Sequence, residues 1–165
     1  MDKQHLYFSG MDAAYFLRQF DYNNWANQRM LEVFANASNQ GKNLPEIALD
    51  GMSHILGAQE IWLRRLTQRS GGKELFALKP LDELIPLSKQ SGEEWKNFIQ
   101  AHAGDLEHFR LDYEMLDGSA QSSSLTDIIT HVCNHGTYHR GQVSKSLKAA
   151  GIQPLSTDFI VYSRL

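Results

Sequence analysis

Apolar residues recur at helical spacing in four separate stretches of this chain, and this limits the folds open to it more than any other feature. The first stretch, residues 11–37, puts Ala13, Leu17, Phe20, Leu31 and Phe34 on one stripe and runs out near Asn39-Gln40-Gly41. The second, 45–69, is expected to turn Ile47, Ile55, Ala58, Ile61, Trp62 and Leu66 inward and to stop before Gly71-Gly72. A third, 81–108, carries a stripe of Trp95, Ile99, Leu106 and Phe109, with Pro86 blurring its start. The fourth, 124–150, opens on Ser124-Leu125-Thr126-Asp127 and closes at Gly151. Each helix must bury its stripe against another, so the pattern predicts an all-α four-helix bundle.

Residues 109–124 break the helical period. They alternate Phe109, Leu111, Tyr113 and Met115 before Asp117-Gly118, which predicts a small β-hairpin between the third and fourth helices. The long stretches after the second and third helices predict at least one long crossover connection in place of simple up-down hairpins. The tail, 156–165, is expected to add a short helix or strand as a lid. A length of 165 residues suits a single domain over 11–165, with Met1–Gly10 resembling a tag-linker remnant or a flexible N-terminus. His5 falls in that segment and is set aside on that ground.

Charge and cysteine content remove several functions. Sixteen Lys and Arg against 19 Asp and Glu give a net charge of -3, so no basic excess exists to neutralise phosphates, and a nucleic-acid partner is not expected. No run of 18 apolar residues crosses a bilayer, and no basic-then-apolar leader opens the chain, so a cytoplasmic protein with no membrane partner is expected. One cysteine excludes a disulfide framework and any Cys-rich zinc module. Seven histidines remain to be explained.

Three of them stand in His131-Val132-Cys133-Asn134-His135-Gly136-Thr137-Tyr138-His139 of the fourth helix. Residues four apart share a helix face, so two such imidazoles can grip one ion. Leu125, Ile128, Val132, Val143 and Leu147 define the inward direction, and His135 and His139 fall on its flank. His131 lies a turn further towards the polar side, as a supporting or surface residue. A third ligand must come from another helix. His54, seven residues from both Ile47 and Ile61, is one candidate, and His102, seven from Trp95 and Phe109, is its rival; His108 points to solvent. Three histidines suit Zn or Ni first, with Fe or Mn as further candidates, and leave a position open for water or substrate. Gly136 follows His135, so the H-E-x-x-H base of metalloproteases is missing.

Supporting groups follow from the same faces. Asp50, one turn before His54, is a candidate acceptor for its second ring nitrogen, and Gln142 shares a face with His135. Asn24 and Asn27 interrupt the first apolar stripe; they either line the site or bond across helices. Cys133 is expected to be a small buried residue, Ser122 to Ser124 to form loop and cap, Trp62 and Tyr138 to serve as packing or pocket walls, and Arg140 to pair with a carboxylate.

Tyr22-Asn23-Asn24-Trp25-Ala26-Asn27, His54 with Glu60-Ile61-Trp62, and above all Leu125–Gln142 resemble the DinB family of the DinB/YfiT-like superfamily, over nearly the whole chain. The resemblance implies a four-helix bundle holding a divalent ion on His54, His135 and His139, which places His102 outside the site. It also implies relatives that include transferases and isomerases dependent on low-molecular-weight thiols, and a family name that refers to induction by DNA damage, not to chemistry. The leading expectation is a metal-dependent enzyme that activates a thiol or water against a small electrophilic substrate, with Asn24, Asn27 and Gln142 orienting the nucleophile. Two other expectations are a non-catalytic metal-binding stress or interaction protein and a bundle whose histidines are purely structural. A homodimer is expected from the habit of bundles to pair through a helix face.

Overall fold

The computed structural model describes residues 13–70, 72–115 and 118–165. Four main helices, α1 (Ala13–Asn39), α2 (Glu46–Leu66), α3 (Leu81–Ala101) and α4 (Leu125–Ala149), form the bundle. A 3-10 turn (Lys73–Phe76) lies between α2 and α3, strands β1 (Arg110–Glu114) and β2 (Ala120–Ser124) precede α4, and a short α5 (Phe159–Tyr162) ends the chain. Helix α1 packs on α3 and α4, and α2 packs on α4 and α3, so successive helices α1 and α2 face each other across the core. The long connection after α3 spans the other diagonal, as its length predicts. The Met1–Gly10 segment, the expected helix start at Met11, Gly71 of the expected stop and Asp117 of the expected hairpin turn lie outside the described residues.

Helix ends follow local chemistry. Ser124 caps α4 by accepting the Asp127 N–H at 3.1 Å. At the other end Gly151 takes φ +71°, and the Ile152 N–H donates to Leu147 O at 2.9 Å while both side chains join one apolar cluster. Helix α2 stops earlier than its glycine pair suggests: Gln68 takes φ 54°, the Arg69 N–H donates to Arg64 O at 2.8 Å, and the Thr67 hydroxyl donates to Leu63 O at 2.7 Å. Helix α3 ends at Ala101, not near 108. Consecutive turns over 102–109, with Asp105 N–H donating to His102 O and Phe109 N–H to Asp105 O, keep Leu106 buried and so mimic a helical period. The hairpin is antiparallel, with Arg110 opposite Ser124 and Tyr113 opposite Gln121.

The core is two apolar clusters with a polar layer between them. Met30, Phe34, Met52, Ile55, Leu84 and Leu147 anchor one cluster; Phe16, Phe20, Leu63, Trp95, Ile99 and Ile128 anchor the other. Along each helix the change of cluster coincides with buried polar residues: Asn23 and Asn27 on α1, Gln59 on α2, Ser88 and Ser91 on α3, Arg140 on α4. Trp95 stitches across this level, stacking on Phe20 at 5.0 Å and donating its indole N–H to Gln59 O at 3.1 Å. The tail does form a helix, but it covers α1: Tyr22 meets Phe159 at 5.1 Å, and its hydroxyl donates to Thr157 O at 2.9 Å.

Helices α2 and α4 lie close together at Gly51, where a Cβ would lie 2.6 Å from Val143 Cγ2. Ile47, expected inward, is 70% exposed, because the buried face of α2 runs through Ala48, Met52, Ile55, Leu56 and Leu63 instead. Val143 is buried and β-branched, so it yields little to an inserted methyl. Gly51→Ala is therefore expected to lower stability by about 1–3 kcal/mol in chemical denaturation. Gly104→Ala, with nothing within 4 Å of the new Cβ, serves as the control and is expected to change little. Equal midpoints for the two variants would show that the α2–α4 contact tolerates a side chain.

Candidate metal centre

The same close approach brings one histidine of α2 against two of α4. His135 and His139, one turn apart, have ring centroids 4.4 Å from each other, and His54 lies 4.9 Å from the first and 4.5 Å from the second. The His54 and His135 Nε2 atoms are 3.1 Å apart, and one nitrogen from each of the three rings falls within 4.8 Å of the others. Two nitrogens sharing a tetrahedral zinc at about 2.0–2.1 Å stand roughly 3.3 Å apart, so the observed spacing fits one edge of such a site. The three imidazoles are thus positioned to hold a divalent metal ion, and His102 is not among them.

Electrostatics supports the neutral ligand form. Burial is the main cause that drives the His135 pKa down to about 4, helped by positive charge on His139, His54 or His131. His54 is also held below its ordinary value, first by burial and then by His139, against a smaller opposing pull from Asp50. A metal binds imidazole only when it is unprotonated, so this environment prepares His54 and His135 at neutral pH.

Neighbouring residues shape the rest. His139 Nδ1–H donates to Gln142 Oε1 at 3.1 Å, which leaves its other nitrogen free to face the centre. The His54 ring rests on Phe76 at 5.3 Å, a contact from the 3-10 turn that no sequence period announces. Next to His54 and His139 opens a cleft of about 660 Å³, walled by Ile47, Asp50, Gln142, Val143 and Lys145 among others. Asp50 thus stands beside His54 in the cleft wall and acts on it through charge. Tyr138 sets its ring edge-on to His139 at 5.0 Å, and Trp62 packs on Tyr113 at 5.0 Å and His131 at 5.6 Å.

The remaining candidates are placed elsewhere. His131 is exposed, with its ring 5.7 Å from His135 and outside the group of three. Asn24 lies between α1 and α3, its amide where a Cβ on Gly92 would fall, and is not brought to the histidines. Asn27 is buried on the α1 side and accepts a hydrogen bond from Arg140 Nη1 at 2.8 Å, so it too belongs to helix packing. Arg140 does not take the carboxylate partner expected for it: among the described residues it pairs with none and bonds the amide oxygens of Asn23 and Asn27, which α1 presents to it. His102 is satisfied locally, with Nδ1 2.9 Å from Phe98 O and its ring stacked on Phe98. Cys133 is buried and its pKa is pushed up by burial to about 12.

Two comparisons agree with this picture. The sequence profile described as DinB family matches residues 11–165. The chain is also 26% identical over 174 residues to a Bacillus subtilis (strain 168) protein named Protein DinB, covering 87% of this chain and 90% of that one.

The pKa directions set a pH dependence. Well above pH 6.5 His54 and His135 are neutral both folded and unfolded; as the pH falls, the unfolded chain takes up these protons first. Stability of the metal-free protein should therefore be lost progressively as pH falls from about 6.5 through about 4. His135→Asn should make that loss shallower in thermal melts over this range. A melt series with the same slope in both proteins would show that His135 is not held neutral by the fold.

Proposed function

The chain belongs to the DinB family, and from that premise we propose that it is a metal-dependent enzyme that activates a thiol or a water molecule against a small electrophile. The observation that carries the reading is the meeting of His54, His135 and His139 beside a cleft large enough for a small molecule. Among the described residues no fourth His, Cys, Asp or Glu joins the group, which favours an open, catalytic type of site over a closed structural one. His54, His135 and His139 would hold a divalent ion, which would supply Lewis acidity to lower the pKa of a bound water or thiol towards neutral pH. Zn and Ni suit this ligand set first, with Fe and Mn next.

The protein's own residues hold and orient. His139 is fixed by Gln142, His54 is backed by Phe76, and the walls of the cleft run beyond the histidines to Ile47 on α2 and Ala149 on α4. The only cysteine is buried and protonated, so the sulfur of any thiol reaction comes from a low-molecular-weight thiol that enters as substrate. Among the described residues no helix is long and apolar enough to cross a membrane, and we place the reaction in the cytoplasm.

Elemental analysis of untagged protein, followed by thiol-transfer and hydrolysis assays before and after chelation, tests the reading. Activity should vanish with chelator and return with one ion. His135→Ala should lower metal affinity by roughly 100-fold or more, since even loss of a residue supporting a ligand costs 10–100-fold. Retention of stoichiometric metal and full activity by His135→Ala would exclude this ligand set.

A further inference from the structure

Arg140 is the largest charged side chain in the interior, 1% exposed, and among the described residues no acidic group bonds to it. Its Nη1 donates to Asn23 Oδ1 and to Asn27 Oδ1, each at 2.8 Å, and its Nη2 donates to Thr137 Oγ1 at 2.9 Å. Its guanidinium carbon sits 5.8 Å from the Tyr22 ring centroid. Burying a guanidinium without a counter-charge is unfavourable, and an apolar side chain of similar volume would normally be at least as stable there. What an apolar residue lacks is direction: a fork of hydrogen bonds to two successive turns of α1 permits one rotation of α4 and opposes others.

The sequence ties that rotation to the histidines. His135 is followed by Gly136 and His139 by Arg140, so α4 shows the imidazoles to α2 and, about 100° around its axis, Gly136 and Arg140 to α1. Gly136 leaves room for the fork, since a Cβ there would lie 2.7 Å from Arg140 Nη1 and 2.6 Å from Asn23 Oδ1. Helix side chains reach about 5–6 Å from the axis, so a turn of about 10° moves a side chain by about 1 Å. Metal–ligand distances tolerate only about 0.2 Å. A small slip on the α1 side would therefore misplace both α4 ligands.

We propose that Arg140 is a positioning residue for the metal centre: its grip on Asn23 and Asn27 sets the rotation of α4 at which His135 and His139 meet His54. The inference rests on the metal-binding reading of the three histidines. It also accounts for a buried, unneutralised charge that contacts none of the ligand rings.

The test is a set of zinc competition titrations, with cobalt absorption spectra as a readout of ligand geometry and thermal melts in chelator as a readout of stability. Arg140→Met should leave metal-free stability equal or higher, weaken zinc binding by about 10-fold or more, and alter the cobalt spectrum. Asn27→Asp keeps an oxygen for Nη1 and should retain parent affinity, whereas Asn27→Leu removes it and should weaken binding as Arg140→Met does. That pair decides the matter even if Arg140→Met does not fold. Parent-like zinc affinity and cobalt spectra in both Arg140→Met and Asn27→Leu would overturn the inference alone. A parent protein that binds neither ion would overturn the metal reading and this inference together.

Discussion

Everything at the centre depends on how closely α2 and α4 can lie. Gly51 presents no side chain where Val143 crosses, and the two positions stand within one turn of His54 and His139 respectively. This close contact lies beside the point at which the imidazoles of the two helices meet. It also keeps the pKa values of His54 and His135 low, because burial and the neighbouring imidazoles both oppose a proton there. Geometry and basicity are here two results of one backbone approach.

Helix α4 does different work on its two buried sides. Towards α2 it offers imidazoles to a cleft; towards α1 it offers a guanidinium to asparagines. The polar layer that includes Arg140 separates two apolar clusters that, joined, would make a more continuous core. Such a layer weakens the hydrophobic contribution at mid-height and adds polar groups whose desolvation must be offset by hydrogen bonds. In return it specifies register, since apolar stripes alone accept several rotations while directional bonds accept few.

How much of this was legible in the sequence varies from residue to residue. The i, i+4 pair His135 and His139 is a local property of one helix, and a local period suffices to read it. His54 was reached by spacing from Ile47 and Ile61, yet Ile47 is exposed and Ile61 only half-buried; the histidine lies on the edge of a stripe drawn by other residues. Spacing alone prefers His54 to His102 only weakly, whereas the resemblance separates them. Asn24 and Asn27 were rightly seen as interruptions of an apolar stripe, but a period shows which face a residue occupies and not which neighbour it meets. The partner of Arg140 was invisible for that reason, as was the support of His54 by Phe76. Helix ends are hidden from the sequence where turns imitate a helix, as at 102–109, or where a residue other than glycine adopts a left-handed backbone, as at Gln68.

The burial of Cys133 has a further consequence. Its sulfur contacts Gln19 O at 3.7 Å inside the α1–α4 seam, and no second cysteine exists anywhere in the chain. A protein that brings thiols and electrophiles together would ordinarily risk alkylating itself or forming mixed disulfides with its own substrates. Here neither route finds an accessible sulfhydryl, so the protein's own thiol is kept out of the proposed chemistry, and oxidising conditions leave the fold without an internal disulfide to form.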